Sequence, residues 1–87
     1  MARYSLEIKR PACREIEALP TKKDRRLVVD RISKLAADPR PPGSEKLAGD
    51  DRYRIRQGPY RIAYQIDDTA RVARIFKVGH RREVYRR

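Results

Sequence analysis

One cysteine, Cys13, among 87 residues excludes an internal disulfide, and nothing near it supplies the spacing of a metal-ligand set. It reads as a small, partly buried residue. Long apolar runs are missing as well: none approaches the ~20 residues that a bilayer crossing takes, and no signal peptide opens the chain. A membrane span is therefore excluded and a cytoplasmic protein is expected. Acidic side chains are scarce in the C-terminal part, where residues 52–87 hold 3 of them and Glu83 is the one acid after Asp68. That scarcity argues against a two-metal nuclease, which needs clustered carboxylates; neither a metal nor any other cofactor is expected. No internal repeat or low-complexity segment is present, and the length suits one small domain, residues 1–87, with a modest core.

Positive charge is abundant. The net charge is +11, so the surface should attract a polyanion such as nucleic acid, an anionic membrane or an acidic protein. It is unevenly placed: residues 1–51 carry a net of +3 and residues 52–87 a net of +8. The polyanion-facing part is the C-terminal one.

Tyr4, Leu6 and Ile8 alternate with polar residues and predict a first strand with one buried face. Pro11 suits a helix start, and Ala12, Ile16 and Leu19 form the apolar stripe of a short helix that Pro20 ends. Thr21 with Asp24 three residues later resembles a capping box. The helix it opens runs to about Ala37, with Val28, Ile32, Leu35 and Ala36 on one side. Residues 38–51, "DPRPPGSEKLAGDD", exclude a long regular element and read as a connecting loop. Three alternating runs follow, "RYRIRQ", "YRIAYQID" and "RVARIFKV", separated by Gly58-Pro59 and Asp68-Thr69-Ala70 at hairpin length. The expected fold is α+β in the order β-α-α-β-β-β, with a helical hairpin packed on an antiparallel meander sheet.

Strand alternation sends Tyr53, Ile55, Tyr60, Ile62, Tyr64 and Ile66 towards the helices, and Arg52, Arg54, Arg56 and Arg61 to the open face. Pairing through Gly58-Pro59 should set Arg56 beside Arg61. Like charges directly opposite are destabilising, so such a row needs solvent or an anion. Arginines on an outer sheet face are also ordinary surface residues that deter edge aggregation. The choice of side chain favours a site: residues 52–87 contain ten Arg and one Lys, and the planar fork of Arg suits bidentate phosphate contacts.

The segment "KVGHRREVY", residues 77–85, leaves the last strand at one end of the sheet, where His80, Arg81 and Tyr85 are expected within reach of the arginine face. A cationic clamp, a ring that titrates near neutrality and an aromatic that stacks a base are what a metal-independent ribonuclease would use.

Lys46-Leu47-x-Gly49, Tyr53-Arg54-Ile55-Arg56, Tyr60-Arg61-Ile62-x-Tyr64 and Val78-Gly79-His80-Arg81 ahead of Tyr85 together resemble the RelE branch of the RelE/ParE toxin superfamily. The match is specific over about residues 45–85 and otherwise limited to the strand-helix-helix pattern. The resemblance implies a type II toxin that enters the ribosomal A site and cuts mRNA. In such enzymes a 2′-hydroxyl attacks its own 3′-phosphate, leaving a 2′,3′-cyclic phosphate and a free 5′-hydroxyl. It further implies the 70S ribosome and mRNA as targets and a cognate acidic antitoxin as the partner that silences the toxin. The family's functional positions map onto Arg54, Arg56, Arg61, Arg81 and Tyr85.

The best-known RelE members carry lysines where this chain has Arg54 and Arg56. Arginine stays protonated and cannot act as a base, so these two are expected to bind and stabilise charge. His80 becomes the expected proton acceptor, while Lys46, Arg52, Arg74, Lys77 and Arg82 are expected to bind RNA. Two other readings are a ParE-like inhibitor of DNA gyrase, against which the His-Arg-Arg-x-x-Tyr ending counts, and a non-catalytic nucleic-acid-binding toxin homologue.

Overall fold

The computed structural model of the chain describes residues 3–47 and 51–80. Strand β1, Ser5–Ile8, alternates exposed and half-buried side chains. The chain then enters α1, Arg10–Glu17, with Pro11 in the first turn, where its missing N–H would have had no helical partner. Ala12 and Ile16 are the buried residues of α1. The Thr21 hydroxyl accepts a 3.0 Å hydrogen bond from the Asp24 backbone N–H and so opens α2, Lys22–Lys34. Val28 and Ile32 bury one face of this helix, and Leu35 and Ala36 extend the stripe through the turn that follows.

Residues 38–51 are less irregular than their prolines predict. They hold a two-residue strand, β2, Glu45–Lys46, which pairs antiparallel with β3, Arg52–Gln57, through Glu45↔Arg54 and Lys46↔Tyr53. The chain turns at Gly58-Pro59 into β4, Tyr60–Asp67, and again into β5, Val72–His80. Gly58 has φ +59°, and a positive φ followed by proline is the arrangement of a type II′ hairpin turn.

The meander β3–β4–β5 is antiparallel as expected. The full sheet is mixed, however, with the order β1-β5-β4-β3-β2, because β1 runs parallel to β5 from Ser5↔Val72 to Ile8↔Ile75. Period-two patterning marks a strand and says nothing about its neighbour, which is why this pairing was not readable. Where β1 ends, α1 takes over the edge of β5: Glu15 accepts a 2.7 Å hydrogen bond from the Val78 backbone N–H and pairs with Lys77 Nζ at 3.3 Å.

The helices and the turns that follow them supply Ala12, Ile16, Leu19, Val28, Ile32 and Leu35 to one core, and the sheet answers with Ile55, Ile62, Tyr64, Ile66, Ile75 and Val78. Each fully buried aliphatic side chain contributes roughly 1.5–3 kcal/mol. At the end of the sheet away from the Gly58 turn, Arg40 donates two hydrogen bonds to Asp68 and one to the Tyr53 hydroxyl, while Tyr4 also donates to Asp68. These bonds tie the start of β1 and the loop after α2 to β3 and the β4–β5 turn. The Arg40 contact, followed by that of Tyr4, lowers the Asp68 carboxyl from 3.8 to about 2. Tyr64 donates a 2.6 Å hydrogen bond to the Pro39 carbonyl, and burial pushes its hydroxyl up to about 12.

Candidate nucleic-acid interface

The β3–β4 ladder pairs Arg52 with Gln65, Arg54 with Ala63 and Arg56 with Arg61. Paired residues share a face, so the four arginines occupy the sheet side turned away from the helices, and Arg56 meets Arg61 as expected. The environments differ from the expectation in one respect. Arg61 is only 7% exposed, so it is a buried residue of this face, whereas Arg56 and Arg52 are exposed.

Three of the arginines close on a pocket of about 90 Å³ lined by Gly43, Glu45, Arg54, Ile55, Arg56 and Arg61. Glu45 reaches it because β2 pairs with β3. Its Oε1 lies 2.8 Å from Arg54 Nε and 2.6 Å from Arg54 Nη2. The Arg54 hydrogen bond is the main reason the Glu45 carboxyl titrates lower than usual, with the charges of Arg54, Arg61 and Arg56 adding to it. The carboxylate is thus an internal anion among three guanidinium groups, which offsets part of their mutual repulsion. Gly43 has φ +94°, a left-handed conformation that glycine adopts without strain, and its backbone forms one side of the pocket.

Sequence reading passed over Glu45. It sits in a proline- and glycine-rich stretch, and only the two-residue pairing of β2 carries it to a partner nine residues away. An acid directly before Lys46-Leu47 and seven positions ahead of a basic strand is the faint signal that was there.

His80 lies apart from this pocket. Arg61 pairs with Gly79 and Tyr60 with His80, which places the imidazole on the helix-facing side. Its ring meets Tyr60 edge-on, with centroids 6.4 Å apart, and borders a second cavity of about 370 Å³ whose lining includes Glu15, Leu19, Pro20 and Val78. The cause is a β-bulge: the pairing shifts between Ala63 and Tyr64, so residues 75 and 77 oppose neighbouring positions and Phe76 is extra. One inserted residue inverts the alternation of everything after it.

The remaining basic residues take separate places. Lys46 is exposed on β2, one residue out of phase with Glu45. Arg74 pairs with Glu7 at 2.8 Å and Asp67 at 3.7 Å, and Lys77 with Glu15, so both serve the β5 edge. Arg52 covers the Phe76 ring at 4.9 Å. Arg81, Arg82 and Tyr85 lie outside the described residues. Among the described residues no three His, Cys, Asp or Glu side chains gather as a metal-binding group, and no helix is long and apolar enough to cross a membrane.

Known proteins share this fold. The profile of the family described as ParE toxin of type II toxin-antitoxin system, parDE, matches residues 6–85. Toxin RelG of Mycobacterium tuberculosis (strain ATCC 25618 / H37Rv) is 31% identical over 87 residues, covering 97% of this chain and 98% of its own length. A mutant of the E. coli toxin RelE in the free state superposes with a TM-score of 0.78 at 30% identity, covering 99% of this chain and 93% of that one. The toxin-antitoxin complex RelBE2 from Mycobacterium tuberculosis gives 0.76 at 26% identity, with 92% and 93% covered. The archaeal RelE-RelB complex from Pyrococcus horikoshii OT3 gives 0.76 at 27% identity, with 90% and 94% covered.

Proposed function

Because this chain belongs to the RelE/ParE superfamily of type II toxins, we propose that it is a ribosome-dependent endoribonuclease that cuts mRNA in the A site. The observation that carries this reading is the pocket in which Arg54, Arg56 and Arg61 surround a carboxylate. Charge fixed in place before the substrate arrives is the most effective way to stabilise a phosphorane. A phosphodiester would enter beside Glu45 and share Arg54 with it.

In the proposed reaction the 2′-oxygen bonds to phosphorus as the P–O5′ bond breaks, giving a 2′,3′-cyclic phosphate and a 5′-hydroxyl. Arg56 and Arg61 hold the non-bridging oxygens. The 2′-hydroxyl must lose a proton and the departing O5′ must gain one, and no arginine can accept the first. Within the pocket the acceptor is Glu45. An incoming phosphate shares Arg54 and brings a second negative charge beside the carboxylate, and both effects raise its basicity. His80 is the competing acceptor from the sequence reading. Glu45→Gln and His80→Gln, assayed side by side, separate the two.

Arg81 and Tyr85 complete the site in this proposal, as further phosphate charge and as a stacking or proton-donating hydroxyl. The partner is an acidic antitoxin that covers the arginine face, consistent with the relatives solved as toxin-antitoxin complexes. The place of action is the cytoplasm, where ribosomes are.

The test is to add the purified protein to 70S ribosomes programmed with a defined mRNA, with ribosome-free mRNA alongside, and to map the 3′ ends. A-site cuts ending in 2′,3′-cyclic phosphate are expected. Intact mRNA from a folded sample sinks the reading. A second reading comes from the ParE description of the matching family: a ParE-like toxin inhibits gyrase, and loss of DNA supercoiling activity with mRNA left intact would establish it.

A further inference from the structure

The arginine side of the sheet carries an aromatic residue that the pocket does not use. Phe76, the only phenylalanine in the chain, is absent from the core cluster between helices and sheet. It is the extra residue of the β5 bulge, since Ala63 pairs with Lys77 and Tyr64 with Ile75. Bulges re-aim a side chain and recur beside active sites. Here the bulge leaves a half-buried ring on the outer face it shares with Arg74, where the Arg52 guanidinium carbon stands 4.9 Å from its centroid.

Arg52 is exposed and lies two residues before Arg54 on the same face of β3. That spacing is ~7 Å along a strand, the reach from a phosphate to an adjoining base. Between β3 and β5 the outer face of β4 carries Gln65, the ladder partner of Arg52, and the small Ala63, itself 2% exposed. A guanidinium group thus lies over an aromatic ring on the outer face of the sheet, one step from the phosphate pocket.

The geometry points to Arg52 and Phe76 as a nucleobase platform for the unpaired RNA base that flanks the cut phosphate. Aromatic rings and Arg planes are the two surfaces on which proteins stack single-stranded bases. Phe76 fixes the orientation of Arg52 from beneath, and the base lies on the exposed side of the guanidinium group. This inference rests on the reading that the arginine pocket receives an RNA phosphate.

The probe is a hexaribonucleotide with a central 2-aminopurine, its 2′-hydroxyls methylated so that it cannot be cut, titrated at low salt into the full chain. Anisotropy reports binding, and quenching of the 2-aminopurine reports stacking. Wild-type protein is expected to bind and quench. Phe76→Leu, which keeps an apolar side chain, and Arg52→Gln, which keeps length, are expected to lose most of the quenching and about tenfold in affinity, as the ~1–3 kcal/mol per stacked base implies.

Binding without quenching by the wild type, quenching by Phe76→Leu equal to wild type, or no binding at all by a folded wild-type sample each overturns the platform. Cleavage of ribosome-bound mRNA is scored separately. Cut mRNA with an unquenched probe removes the platform and keeps the nuclease; uncut mRNA with a quenched probe does the reverse.

Discussion

Arg56 and Arg61 face each other across the β3–β4 ladder, yet one is exposed and the other buried. Truncating Arg56 removes charge from the pocket and little packing. Arg56→Ala should therefore stay within the ~0.5 kcal/mol usual for surface changes while cleavage falls about 100-fold, the scale of losing one transition-state donor. Arg61 also buries its aliphatic stem. Arg61→Ala should lose cleavage and, in addition, about 1–3 kcal/mol of stability, read as a lower urea midpoint. Equal midpoints for the two variants would contradict the burial difference. The pairing of these residues was legible, because Gly58-Pro59 between two alternating runs fixes the register. The burial of Arg61 was not, because alternation tells which face a side chain takes and nothing about what surrounds it there.

At the scale of elements, two local devices hold the frame of the pocket. Thr21 caps α2 through the Asp24 N–H, and Thr21→Ala should cost about 1 kcal/mol in thermal or chemical unfolding. Gly58 turns the hairpin at φ +59°, so Gly58→Ala should cost about 1–2 kcal/mol and loosen the Arg56–Arg61 register. Amide exchange of β3 and β4 would show that loosening directly. Both devices were readable, since each is written in residues three or fewer apart. The elements that escaped depend on distant partners. β2 exists because it pairs with β3, and that pairing brings Glu45 to Arg54. The bulge at Phe76 leaves no mark in "RVARIFKV", and by inverting the phase of β5 it carries His80 to the side opposite the one that alternation alone implies.

At the scale of the molecule, the Arg40–Asp68–Tyr4 clamp makes stability depend on acid. The Asp68 carboxyl is lower in the folded chain than its ordinary 3.8, at about 2. Its contribution is therefore complete above about pH 4 and is lost as pH falls towards 2. Asp68→Asn should lower the melting temperature at pH 7 and shrink the gap from wild type at pH 2; a constant gap would show that the clamp is idle. The net charge of +11 acts over the same scale. If the three pocket arginines each engage a phosphate, the logarithm of the RNA binding constant should fall against log salt with a slope of at least ~−2, since each contact to a single strand contributes about −0.7.

The sheet order has a consequence in time. Strand β5 is synthesised after every other described strand, yet it is inserted between β1 and β4. Until it emerges, β1 has no neighbour and the Ile75 and Val78 layer of the core is missing. A nascent chain that has reached only the β3–β4 hairpin owns all three pocket arginines and no closed body to hold them. Maturation of such a protein is thus timed by β5, the last of its described strands, and the arginine pocket stays unformed through most of the chain's time on the ribosome that makes it.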